Sequence, residues 1–349
     1  MAVYLGVSAR LLVNLEALNM AESVGNVVRH RRAPVVLRGK DGGFVLRYVP
    51  VISGESLAHH YQRLLADIAR GRGLPVCRAC SQYVFLKHAN SQVFSKYDGV
   101  SNPKQRFRRP ADVEEYVVRN CVVEDVGGFL FADMTVKRTS RFRIGYMIPA
   151  LDALSGGAAA TEAQFHVRYA PGAERGEQAI YYVEVGSAVY VFSYVLDASA
   201  VGAYSMENEG AGSGLIVDAG ERLKRVEAAV DALAALLGGM MWGAKTSRFM
   251  PHWKVLSLVA VVAKPTPFAP TPGHDTSYLG ETVARACSLS GLLKGFTAKV
   301  YYYEGSESLK GSEGCEGVVV EKVGAEGGYL EALRRAKEAL LEELRAEQP

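Results

Sequence analysis

Apolar residues recur at two different periods along this chain, and the order in which the periods change limits the folds open to it. Val3, Leu5, Val7, Ala9, Leu11 and Val13 alternate with Tyr4, Ser8, Arg10 and Asn14, a period of two that predicts a long strand. A hairpin is predicted for 34–37 and 44–49 around Gly39-Lys-Asp-Gly-Gly43. Ser53-Gly-Glu-Ser then opens a helix whose Leu57, Tyr61, Leu64, Leu65 and Ile68 fall at helical spacing, and which stops at Gly71-Arg-Gly73. Residues 163–170 and 179–196 return to strand. Residues 220–237 form an amphipathic helix with Leu223, Val226, Val230, Leu233 and Leu237 on one side, and 254–262 is an apolar strand.

Strand, helix, strand, strand, helix, strand predicts an α+β fold with an RRM-like (ferredoxin-like) core, assembled from 1–72 and 161–264. The intervening 74–160 is basic and has no sustained period, so we expect a large insertion packed on that core. A second, proline-rich excursion with a helix at 283–293 and a return strand at 298–303 occupies 265–303. An acidic tail, 304–349, ends in a charged helix over 326–347. Of 349 residues 49% are apolar and 22% charged, which excludes disordered and fibrous classes. The net charge is +3, but it is unevenly spread: residues 300–349 carry 11 acidic and 6 basic side chains, leaving +8 on the first 299. A basic body implies an anionic partner. The longest strongly apolar run, 255–263, is too short for a membrane helix and no signal peptide is visible, so a soluble, cytoplasmic protein is expected. Five scattered cysteines do not make a secreted disulfide framework. Only seven Asn and seven Gln suggest a thermophilic source, in which intracellular disulfides do occur.

The sharpest chemical feature is Lys137-Arg-Thr-Ser-Arg-Phe-Arg143, with four fixed positive charges and two hydroxyls. As a strand it would project Lys137, Thr139, Arg141 and Arg143 to one side and Arg138, Ser140 and Phe142 to the other, a spacing suited to successive phosphates or, more plainly, to a solvated edge. Arg29-His-Arg-Arg32 and Lys104-Gln-Arg-Phe-Arg-Arg109 could extend the same basic surface. Gln164, His166 and Arg168 share one face of a predicted strand. His59 and His60 lie in the first turns of a helix whose exposed N–H groups could hold a phosphate. Tyr190, Phe192 and Tyr194 could stack bases, but core packing is the better reading. Cys77-Arg-Ala-Cys80 has metal-ligand spacing with no second pair; Cys121 or His88 could complete a zinc site, but free thiols are expected and no metal or cofactor is assigned. His274-Asp275 lacks the partners of a metal-dependent nuclease, and Gly210-Ala-Gly-Ser-Gly214 lacks the context of a nucleotide loop.

In combination, Ser8-Ala-Arg-Leu-Leu-Val-Asn-Leu-Glu-Ala-Leu-Asn19, Tyr48-Val-Pro-Val-Ile-Ser-Gly-Glu-Ser-Leu-Ala-His59, Asp125-Val-Gly-Gly-Phe129, 137–149, Ala163-Gln-Phe-His-Val-Arg168 and Ser247-Arg-Phe-Met-Pro251 resemble one family. It is the backbone subunit of the archaeal type I-A CRISPR surveillance complex (Cascade), within the RAMP superfamily. The resemblance implies copies of the subunit arrayed as an open helical filament along CRISPR RNA, beside other Cascade subunits. The guide would be gripped by its backbone, its bases left free to pair with invading DNA. Cleavage would fall to a separate helicase-nuclease, so no enzyme activity is expected. By motif match the resemblance implies RNA contacts at Asn14, Asn19, Arg29, His30, Ser53, His59, Lys137, Arg138, Arg141, His166, Arg168, Lys245 and Arg248. The alternatives are a RAMP endoribonuclease using Asp133, or His166 with Lys137, and an RNA chaperone that forms no filament.

Overall fold

The computed structural model describes residues 2–39, 41–167, 180–239, 243, 245–311 and 313–346. Its centre is the strand Tyr4–Glu16, flanked antiparallel by Ile180–Asp197 on one side and His252–Lys264 on the other. Ala159–Val167 pairs antiparallel with the first half of Ile180–Asp197, running from Ala159 opposite Ala188 to Val167 opposite Ile180. Beyond His252–Lys264 come Thr297–Glu304, antiparallel, and Val318–Lys322, parallel. The result is a mixed α+β molecule around one large mixed sheet.

Val3 and the odd residues of the first strand from Leu5 to Val13 face the main core together with the helices Gly54–Gly71, Ala219–Gly239 and Gly328–Ala346. Tyr190, Phe192 and Tyr194 are buried in it, and the Tyr61 and Tyr194 hydroxyls meet at 2.8 Å. The opposite face is also covered, which explains why Ser8 and Arg10 are buried although they look like solvent positions. Ser8 Oγ accepts from the Gly273 amide at 3.1 Å, and Arg10 is held by Asp152 (2.9 Å), Glu307 (2.8 Å) and the Gly273 carbonyl (2.8 Å). Residues 152, 273 and 307, from three separate segments, therefore roof the second face. At the far edge, helix Tyr278–Leu292 builds a second core with Val259, Val261, Ala298 and Val300. Cys287 and Cys315 form a disulfide there, closing 28 residues.

The insertion folds as a lobe of short helices, Arg78–Ser81, Ser91–Asp98, Pro103–Arg106, Pro110–Asn120 and Val122–Gly127, followed by a small hairpin, Phe129–Phe131 with Val136–Arg138. Its own core holds Phe94, Phe107, Val113, Val117, Phe129 and Phe131. Gly128 makes the turn between lobe and hairpin. Its φ is +67°, and a Cβ would sit 2.4 Å from the Arg138 carbonyl oxygen, so only glycine fits. The acidic segment is no detached appendage. Ala332, Leu333, Ala336, Leu340 and Leu344 enter the main core, and Glu343 neutralises Lys264 (2.5 Å) and Lys299 (3.0 Å) on neighbouring strands. No helix of the described residues is long and apolar enough to cross a membrane.

Candidate nucleic-acid interface

The run 137–143 is not one strand. Val136–Arg138 pairs within the lobe, whereas Phe142–Ile144 pairs with Tyr194–Leu196 of the main sheet. Alternation nevertheless survives the break: Lys137, Thr139 and Arg143 are exposed, Arg138 and Phe142 buried. Arg138 is a correction to the sequence expectation. Its guanidinium bonds Glu114 Oε1 at 2.6 Å, Asp125 Oδ1, and the carbonyls of Ala203 (2.8 Å) and Ala200 (3.2 Å), and Asp125 is shared with Arg225 at 2.8 Å. A wholly buried fork with its donors filled has nothing to offer a phosphate. Arg141 is the reverse. Its Nε and Nη2 are buried and make no hydrogen bond. Burial and the neighbouring Arg138 charge hold its pKa below the ordinary arginine value. Lys137 and Thr139 lie against Glu207, at 3.4 Å and 2.5 Å.

A second group gathers at the end of the sheet where the first strand finishes. Asn14 is exposed there, opposite His252. His30, expected to touch RNA, is instead interior: Nε2 lies 2.5 Å from the buried Glu16 Oε1, which also accepts from Tyr190 Oη at 2.8 Å. Burial opposes charge on His30, but the Glu16 hydrogen bond and charge prevail and raise its pKa above the ordinary value. Its neighbours differ: Arg29 is exposed, and the buried Nε of Arg31 has no partner. Asn19 Oδ1 accepts from the Ser53 amide at 2.8 Å, and Ser53 Oγ caps the first helix by accepting from the Ser56 amide at 3.3 Å. Both side chains thus set where that helix begins. His59 is exposed against Phe85, its pKa lowered by partial burial and by Arg63.

His166 stacks on Tyr181 with ring centroids 5.2 Å apart and meets Phe249 edge-on at 5.4 Å; its buried Nε2 has no partner. Arg248 donates to Tyr181 Oη at 2.8 Å from the turn that Lys245 opens. Arg168 lies outside the described residues. A groove of about 500 Å³, lined by Gly54, Glu55, Lys87, Arg143 and Tyr146 among others, runs from the start of the first helix to the basic segment. Arg31 and Arg143 belong to the candidate surface and lie outside the set of contacts that the resemblance implies; both stand inside basic clusters visible in the sequence. Asp133 accepts from the Ser91 amide at 2.8 Å and from its hydroxyl, bonds that hold its carboxyl below the usual range. Asp275 similarly accepts from the Ser277 amide at 2.7 Å.

The described residues form a mixed α+β body with exposed cationic side chains at one end of its sheet, such as Arg29, and on the lobe beside it, such as Lys137. A family described as CRISPR-associated negative auto-regulator DevR/Csa2 matches residues 7–283, and the chain belongs to that family. It is 44% identical over 316 residues to the CRISPR-associated aCascade subunit Cas7/Csa2 2 of Saccharolobus solfataricus, covering 90% of this chain and 94% of that one. Identity to CRISPR-associated protein Cas7/Csa2 1 of the same organism is 34% over 308 residues, 86% and 92% of the two chains. Among solved structures, a chain of a CRISPR RNA-guided surveillance complex superposes with a TM-score of 0.52 at 9% identity, over 96% of this chain and 99% of that one, a likeness of fold.

Proposed function

We propose that the chain is an RNA-binding backbone subunit of a Cascade-type complex. It grips CRISPR RNA through phosphates, leaves the bases free to pair with invading DNA, and repeats head to tail along the guide as an open helical filament beside other Cascade subunits. We read the antiparallel order Ala159–Val167, Ile180–Asp197, Tyr4–Glu16, His252–Lys264, with helices Gly54–Gly71 and Ala219–Gly239 on one face, as an RRM-like core, and that order supports the proposal. The RNA-facing set is Asn14, Arg29, Arg31, His59, Lys137, Arg141, Arg143, His166, Arg168, Lys245 and Arg248. Asn19 and Ser53 position the first helix, and His30 and Arg138 support from beneath.

The observation that carries the proposal is Arg141. A half-buried guanidinium whose buried Nε and Nη2 have no acceptor inside the chain is costly to maintain, and a phosphate oxygen would satisfy it. The test is fluorescence anisotropy with single-stranded RNAs of unrelated sequence over a range of salt. Arg141→Ala and Lys137→Ala should weaken all of them alike and each lower the slope of log affinity against log salt by roughly 0.7. Losses confined to one sequence, or an unchanged slope, would sink it.

A further inference from the structure

The insertion holds a cluster that RNA binding does not use. Cys77 caps the helix Arg78–Ser81, its sulfur accepting from the Cys80 amide at 3.4 Å. Cys121 lies at the joint between Pro110–Asn120 and Val122–Gly127, and Glu124 follows within the next turn. The three sulfurs and a Glu124 oxygen all lie within 4.8 Å of one another, and Cys80, Cys121 and Glu124 are fully buried. We propose that Cys77, Cys80, Cys121 and Glu124 bind one structural zinc ion that fastens the start of the insertion, at Arg78–Ser81, to its later helix Val122–Gly127.

Three buried thiols alone would be ordinary core packing. A fully buried carboxylate among them is not, because an apolar side chain would fill the same place without a desolvated charge. The spacing also fits the metal. A tetrahedral zinc with its usual sulfur and oxygen bond lengths has a sulfur–oxygen edge of about 3.5 Å. Here Glu124 Oε1 lies 3.4 Å from Cys77 Sγ and 3.7 Å from Cys80 Sγ. An outer shell is in place as well. His88 Nδ1 sits 2.8 Å from both Glu124 oxygens, its Nε2 is 2.7 Å from Asp98 Oδ2, and Lys87 Nζ donates to the Gly127 carbonyl at 2.8 Å. Such a histidine orients a ligating carboxylate. Lys87 and His88 have φ of +53° and +46°, a left-handed backbone that ordinary side chains avoid, and it sets the His88 ring against Glu124. On binding, each thiol loses its proton to solvent and zinc takes the three sulfur lone pairs and one from the carboxylate. Sequence spacing alone favoured free thiols, because it could not place Cys121 and Glu124 against the Cys77–Cys80 pair.

The test needs no RNA, so its outcome is separable from that of the RNA-binding reading. Tag-free protein made in zinc-containing medium and dialysed should hold about one zinc per chain by mass spectrometry of the metal. Cys80→Ser and Cys121→Ser should each reduce this to below about a tenth, and His88→Gln should weaken retention by roughly 10- to 100-fold. Cys287→Ser, at the distant disulfide, should leave it unchanged. Because a cysteine variant can fail to fold, reduced wild-type protein stripped by a chelator and titrated with cobalt gives a second readout: an intense thiolate-to-cobalt charge-transfer band. Wild-type protein with less than about a tenth of a zinc and no such band, or with iron or copper in zinc's place, overturns the proposal.

Discussion

At the scale of single residues, Arg138 and Arg141 stand three apart in one basic run and have opposite environments. Arg138→Ala would leave Glu114 and Asp125 buried with fewer counter-charges, and should lower stability by about 3–5 kcal/mol in urea unfolding. Arg141→Ala removes a half-buried cation with two unfilled donors and should leave the urea midpoint unchanged or raised. Equal loss in both variants would contradict this division. The sequence could not separate the two, because the deciding carboxylates arrive from the helices Pro110–Asn120 and Val122–Gly127. His30 was misleading for the same reason: Glu16 reaches it across strands. Its folded pKa is raised, so protonated His30 stabilises the protein fully below the unfolded value near about 6.5, and that contribution fades as pH climbs through the folded value. Melting temperature should therefore fall in the wild type as pH rises from the unfolded value through the raised folded one, and His30→Gln should flatten the fall.

At the scale of elements, what the sequence revealed depended on length. Long segments such as Tyr4–Glu16, Gly54–Gly71 and Ala219–Gly239 repeat their period often enough to be seen. The lobe's helices, several of them four to eight residues long, do not. Ser8 and Arg10 reported strand geometry faithfully but not burial, since what roofs them comes from 273 and 307. Glycines separate in the same way. Gly128→Ala should destabilise by more than about 1 kcal/mol, because the left-handed φ is compounded by backbone atoms at 2.4 and 2.6 Å. Gly73→Ala, with φ of +68° but open space around it, should lose only the conformational part, about 1 kcal/mol or less. Thermal unfolding of the two variants side by side checks the ranking.

For the whole molecule, the proposed filament can be tested through its dependence on charge. The chain's net +3, its docked acidic segment included, opposes the crowding of bare subunits, and RNA phosphates would remove that opposition. Mass by light scattering should rise stepwise with guide length, as heterologous contacts require. One fixed oligomer at every length would argue against a filament. The docked helix Gly328–Ala346 has a consequence of another kind. Leu340 shares a core with Val3 and Leu5, residues more than three hundred positions earlier. Such pairings give the chain a high contact order, which slows folding. During synthesis the first strand leaves the ribosome long before this helix can cover its core, so the newborn chain must wait with apolar surface open. The main core can close only after residue 346 has left the ribosome, so no segment that shares that core, the first strand included, finishes packing before then.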